Sequence, residues 1–149
     1  PCHDCIDNAI HSAAGLQLRE ECNQLILEQG HLEFTGQAKI TKGYNLPASY
    51  VIHTVGPVIE TTPSAREAGL LASCYASCLQ IAQKMQLAAI AFCCISTGVF
   101  NFPQHQAAQI AIHTVSDFLA SAAYPQRVIF NVFTQKDEKI YRQLLMPNC

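Results

Sequence analysis

The chain of 149 residues has no tryptophan, few charges and no long apolar run. Charged residues make up 13% of it, against about 25% in an average globular domain. Lys plus Arg number 9 and Asp plus Glu 11, for a net charge of −2. That balance lacks the basic surface that releases counterions from nucleic acid, so no nucleic-acid partner is expected. A phosphate ligand would be held by backbone N–H groups, not by a lysine cluster. The longest apolar run, 87–95, is strand-sized and falls short of the roughly 18 residues of a membrane helix. Pro1-Cys2-His3-Asp4 has neither the basic start nor the apolar stretch of a secretory signal. The 8 cysteines are too few for a disulfide scaffold in a chain of this length. Cys74, Cys78, Cys93 and Cys94 lie inside apolar patterns and read as small core residues in a reducing compartment. The expectation is a cytoplasmic, monomeric domain without a membrane partner.

What is present is apolar: 50% of the residues are hydrophobic, which excludes disorder and suffices for one domain with a sizeable core. A helix is expected from Asp7 as N-cap, interrupted at Gly15 and resumed through Leu18, Cys22, Leu25 and Ile26 until Gly30. An edge strand is expected over 38–41 and a β-rich segment over 49–55, closing at Gly56-Pro57. Ser64 and Glu67 form a capping box ahead of a long helix whose stripe is Leu70, Leu71, Cys74, Cys78, Leu79, Ile81, Ala82 and Met85. The stretch 88–95 does not alternate and reads as a strand covered on both faces. Pro103 starts another helix, 128–133 reads as a second buried strand, and a last helix runs from about Lys136. Strands alternating with helices predict α/β layers around a largely parallel sheet.

Two stretches carry candidate chemistry. Ser96-Thr97-Gly98-Val99-Phe100 joins a strand's carboxyl end to a helix, the place where open α/β sheets bind ligands. Gly98 lets the backbone approach an anion, Ser96 and Thr97 add hydroxyls, and Phe100 or Phe102 offers a ring to stack on a sugar. The plain alternative is a loop with two aromatic plugs. Cys2-His3-Asp4-Cys5 brings thiolate and imidazole donors together, a set that suits zinc with an open position. The alternative is an ordinary chain end. Asp7 either caps a helix or orients a water at a ligand, and Asn8 offers a similar polar group. His11 and His53 read as core histidines, and Cys74 with Cys78 as core packing.

Taken in series, several motifs resemble the macrodomain family in order and spacing. They are Ile6-Asp7-Asn8-Ala9-Ile10-His11, Ala13-Ala14-Gly15, Gly36-Gln37-Ala38-Lys39-Ile40-Thr41, Tyr50-Val51-Ile52-His53-Thr54-Val55-Gly56-Pro57, and Ile95-Ser96-Thr97-Gly98-Val99-Phe100. The resemblance continues through 128–133 and so spans essentially the whole chain. It implies a three-layer α/β/α sandwich with a mixed sheet, and ADP-ribose or an ADP-ribosylated protein as partner. The glycine run usual before the family's Asp is replaced by Pro1-Cys2-His3-Asp4-Cys5, which resembles the zinc-containing subclass. On that likeness His3 and Cys5 are zinc ligands, Cys2 falls on a variable position, and a third ligand and the first two strands would precede Pro1. Residues 1–149 are thus expected to be a single macrodomain incomplete at its N-terminal side.

The implied activity is zinc-dependent hydrolysis of ADP-ribose from mono-ADP-ribosylated protein. Asp7 would act at the proximal ribose. Gly98, Val99 and Phe100 would hold the diphosphate, with Asn8, Ser96 and Thr97 lining the site, and Phe133 would flank the adenine. Asp137 is expected to start a helix instead of touching the ligand. The alternative is a module that binds ADP-ribose without cleaving it.

Overall fold

The computed structural model describes residues 5–146. It opens on two helices, α1 (Ile6–Ala14) and α2 (Leu16–Gln29), separated at Gly15, where φ is +90°. Gly30 ends α2 in the left-handed conformation, its N–H donating to the Ile26 carbonyl at 2.9 Å. One expectation changes here. The N-cap of α1 is Cys5, in extended backbone and without a side-chain cap bond, and Asp7 stands inside the first turn. Asp7 therefore meets the positive end of the helix dipole but does not supply the cap.

Strands β1 (Ala38–Lys42) and β2 (Tyr50–Thr54) pair antiparallel, with Lys39 opposite His53 and Ile40 opposite Ile52. Side chains alternate along each strand, so each register pair points to one face. Ala38 and Ile52 pack toward the long helix α3 (Ala65–Lys84), among Leu71, Cys74 and Cys78. His53 and Thr41 point the other way, and His53 meets Cys22 of α2. Helices thus cover the pair on both sides. The capping box forms as expected: Ser64 N–H donates to Glu67 Oε2 at 2.7 Å, and Ser64 Oγ accepts from the Arg66 N–H at 3.2 Å.

Strands β3 (Ala89–Phe92) and β4 (Arg127–Phe130) pair parallel, in the register Ala89–Arg127 to Phe92–Phe130. Between them runs α4 (Gln104–Leu119), and α5 (Gln135–Leu145) closes the described chain. The core joins α3 and α4 to this sheet through Leu71, Tyr75, Leu79, Phe92, Phe102 and Ala111. Tyr75 lies against Phe92 with ring centroids 5.0 Å apart, and Phe130 meets Tyr141 of α5 at the same separation. Parallel and antiparallel pairing coexist, and the architecture is the expected three-layer α/β/α arrangement.

Two strand expectations are corrected. β4 spans 127–130 instead of 128–133, and β3 is not covered on both faces by the described residues. Ala89, Ala91, Arg127 and Ile129 are exposed, while Ile90, Phe92, Val128 and Phe130 are partly or fully buried. The alternation was hidden because alanine on the open face counts as apolar in a pattern.

Candidate functional site

The loop between β3 and α4 is built by backbone geometry. Ser96 and Asn101 hold left-handed conformations, φ 64° and 56°. Asn101 N–H donates to the Gly98 carbonyl and Phe102 N–H to the Ser96 carbonyl, both at 3.0 Å. Ile59, beyond β2, donates its N–H to the Phe100 carbonyl at 2.8 Å. These bonds consume carbonyls on the inner side of the turn. Among the described residues, no backbone carbonyl accepts from the N–H of Gly98, Val99 or Phe100. Gly98 is exposed and a Cβ there would meet nothing within 4 Å. Of the two aromatic candidates, Phe102 is a core plug, 1% exposed, and only Phe100, half-buried, remains for a ligand.

Gly56 fixes where this loop lies. A Cβ on Gly56 would come within 2.0 Å of Ser96 Oγ and 2.9 Å of Ile95 Cγ2. Such overpacking typically costs about 1–3 kcal/mol. Gly56→Ala is accordingly expected to lower stability by that amount and to weaken at least about tenfold the binding of any anion held by the 98–100 N–H groups, because the Ser96 turn must move. Urea denaturation and calorimetry on the same variant check this, and unchanged values for both would show that the contact is inconsequential.

Asp7 lies on a second feature, a cleft of about 260 Å³ between α1, α2 and the β1–β2 pair. Asp7, His11, Cys22 and His53 line it, and it reaches Thr54 and Val55 at the carboxyl end of β2. Gly56 is the next residue. The cleft and the 96–100 loop are therefore joined through the end of one strand. The Asp7 side chain is 69% exposed and its Oδ1 lies 3.6 Å from His11 Nε2. Asn8 is half-buried in the same turn, and Cys5, half-buried and outside any disulfide, stands at the helix start. His3 lies outside the described residues. Phe133 is three residues beyond β4 and 99% exposed, so it is not the strand-end residue expected, and no contact places it in the cleft. Asp137 is a helix-start residue as expected: buried in the first turn of α5, it accepts from Gln104 Nε2 at 2.9 Å and from Thr134 Oγ1 at 2.6 Å.

The sequence reading did not bring His11, Cys22 and His53 together. One ligand atom from each lies within 4.8 Å of the other two. Their separations along the chain carry no metal motif; the only available signal was a histidine in an apolar strand. Burial, and then the neighbouring His11, hold the His53 imidazole below its ordinary 6.5, against the opposing pull of Asp7 and Glu21. Burial, with Glu21 and Asp7 nearby, pushes the Cys22 thiol up. A histidine whose folded pKa is lowered costs stability in acid. The unfolded chain takes up the proton first, so stability falls as pH drops below 6.5 and levels off below the folded value. His53→Gln is expected to flatten that limb of a stability–pH curve, and an imidazole NMR titration should place His53 below 6.5. A midpoint at or above 6.5 contradicts it.

An α/β/α layering with a backbone-built loop between a parallel strand and a helix defines a class of α/β domain that binds its ligands at strand ends. The Macro domain family matches residues 2–111, and the chain belongs to that family. It is 54% identical over 142 residues to a "Protein-ADP-ribose hydrolase" of Staphylococcus aureus (strain MRSA252), covering 95% of this chain and 53% of that protein. It is 52% identical over 145 residues to a protein of the same name from Treponema medium, covering 97% and 56%. The chain thus spans about half the length of these curated relatives. Among solved structures, a glycine-to-valine variant of the Oceanobacillus iheyensis macrodomain with ADPR superposes with TM-score 0.89 at 38% identity, covering 95% of this chain and 76% of that one. The Trypanosoma brucei macrodomain in complex with ADP-ribose gives 0.84 at 37%, covering 95% and 56%. Among the described residues, no helix is long and apolar enough to cross a membrane.

Proposed function

We propose that this chain belongs to a zinc-dependent hydrolase that removes ADP-ribose from mono-ADP-ribosylated protein. The observation that carries the reading is the row of N–H groups at 98–100 to which no backbone carbonyl among the described residues is bonded; Gly56, packed against Ser96, follows Val55 at the edge of the Asp7 cleft. Such a row suits a diphosphate in a chain poor in basic residues. The relatives named as protein-ADP-ribose hydrolases, and the macrodomains with ADPR and ADP-ribose, support the same ligand. In this reading Gly98, Val99 and Phe100 grip the diphosphate, Ser96 and Thr97 shape the turn, and Asn8 lies beside the ribose. Phe133 stands free to flank the adenine.

The Asp7 carboxylate, exposed and one turn from His11, orients a water by accepting one of its protons. Water oxygen bonds to the anomeric carbon of the proximal ribose, the bond to the protein side chain breaks, and a proton leaves with that side chain. Cys5 fits a zinc ligand by its chemistry: a half-buried cysteine outside any disulfide, two residues before Asp7. With His3 it would hold zinc, which supplies Lewis acidity at the proximal ribose.

The test is release of label from a mono-ADP-ribosylated protein by the full-length protein. Release is expected, and Asp7→Ala should lower it at least about a hundredfold, a typical loss for a general base. Because Asp7 makes no cap bond, the same variant should change stability by only about 0.5 kcal/mol. Binding of free ADP-ribose without release on any linkage would leave a non-catalytic binding module.

A further inference from the structure

We propose that His11, Cys22 and His53 form a second cation site, separate from His3 and Cys5, for a borderline-soft divalent cation of the zinc class. The three residues come from α1, α2 and β2 and converge on one cleft that opens to solvent. Cys22 Sγ lies 3.8 Å from His53 Nε2. A tetrahedral cation with bonds of about 2.3 Å to sulfur and 2.0–2.1 Å to nitrogen spans an S–N edge of about 3.6 Å, so this edge is nearly formed.

The third donor needs a small movement. One atom of each residue lies within 4.8 Å of the others, and an N–N edge of such a site is about 3.3 Å. His11 therefore closes by at most about 1.5 Å, within the reach of its side-chain torsions. Its two nitrogens suit the task. Nε2 faces Asp7 Oδ1 at 3.6 Å, while Nδ1 is buried and has no hydrogen-bond partner among the described residues. A carboxylate behind a ligating imidazole is the arrangement that orients such rings and raises their basicity. Thr41 Oγ1, buried and 2.9 Å from His53 Nε2, fixes that nitrogen. When a cation takes the nitrogen's lone pair, the hydroxyl keeps an acceptor in the Val51 carbonyl at 3.5 Å.

The donor set names the class of cation. Two imidazoles and a thiolate do not suit magnesium or calcium, which take oxygen ligands. The Cys22 thiol gives up its proton to solvent on binding, with no change of oxidation state. Three protein ligands leave a fourth position open, toward the cleft that also holds Asp7.

The experiment uses the full-length protein carrying Cys5→Ser together with His3→Ala, which takes away both named ligands of the other site, and cobalt(II) as the probe. One equivalent of cobalt should bind with a thiolate charge-transfer band and the visible bands of tetrahedral cobalt. Adding Cys22→Ser should abolish the charge-transfer band and lower affinity at least about a hundredfold, more than loss of an outer-shell partner. No band in the doubly substituted protein overturns the inference, as does a band that survives Cys22→Ser. A measurement on the unsubstituted protein covers the case in which either variant fails to fold. Cobalt should slow alkylation of Cys22 by iodoacetamide at least about tenfold, read by peptide mapping that separates Cys22 from Cys5. An unchanged rate at Cys22 overturns the proposal.

Discussion

Gly98→Glu is expected to abolish ADP-ribose binding while leaving the fold intact. The two halves of that statement rest on different observations. Gly98 is not in a left-handed conformation, and the space beyond its Cα is open, so a side chain fits without strain. The new carboxylate would stand beside the N–H groups of residues 98–100, where we place a diphosphate. Two like charges about 4 Å apart repel by about 4 kcal/mol at the effective dielectric of a protein surface. Discounted for exposure, this still predicts a loss of at least about a hundredfold in affinity. Calorimetry reads the affinity and thermal denaturation the fold. Unchanged affinity would place the ligand elsewhere on the molecule.

Cys5→Ala, made in the full-length protein, is expected to separate chemistry from binding. If Cys5 and His3 hold zinc beside Asp7 while the N–H groups of 98–100 grip the diphosphate, free ADP-ribose should bind the variant nearly as well. Release of ADP-ribose from a modified protein should fall at least about a hundredfold, because an interaction made mainly in the transition state is lost. Elemental analysis of the same protein should show its zinc reduced. Thermal denaturation of the variant separates a loss of chemistry from a loss of helix stability. Full activity in a variant without zinc would remove the metal from the mechanism and leave Asp7 as its centre. The cobalt experiment on Cys22 is independent of this result, since it reads a different thiolate.

Much of the local structure was legible in the chain because its causes are local. Gly15 and Gly30 interrupt the first helices where a left-handed backbone is needed. Ser64 and Glu67 close a capping box three residues apart. The strand–loop–helix order around Ser96-Thr97-Gly98 marks the loop in which we place the diphosphate, and the family resemblance supplied the order of the layers. Asp7 was legible as a functional candidate, but the N-cap position expected of it falls on Cys5, because the helix starts two residues earlier than its side chain suggests.

Residues brought together across the chain were not legible. Phe100 and Phe102 look alike in sequence; only the turn held by the Ser96 and Gly98 carbonyls sends one into the core and leaves the other half-buried. Ala89 and Ala91 look like core, yet the covering helices reach one face of β3 alone among the described residues. His11, Cys22 and His53 are 11 and 31 residues apart, spacings at which no periodicity links a helix to a strand. Their convergence depends on how α1 and α2 fold back over the β1–β2 pair, which is set by packing at a distance. The sequence by itself determined the helices, their stops and the loop after β3, since hydrogen bonds and backbone torsions within a few residues decide those. The tertiary structure alone decided which aromatic ring is free and which three donors share a cleft, since those depend on surfaces contributed by distant segments.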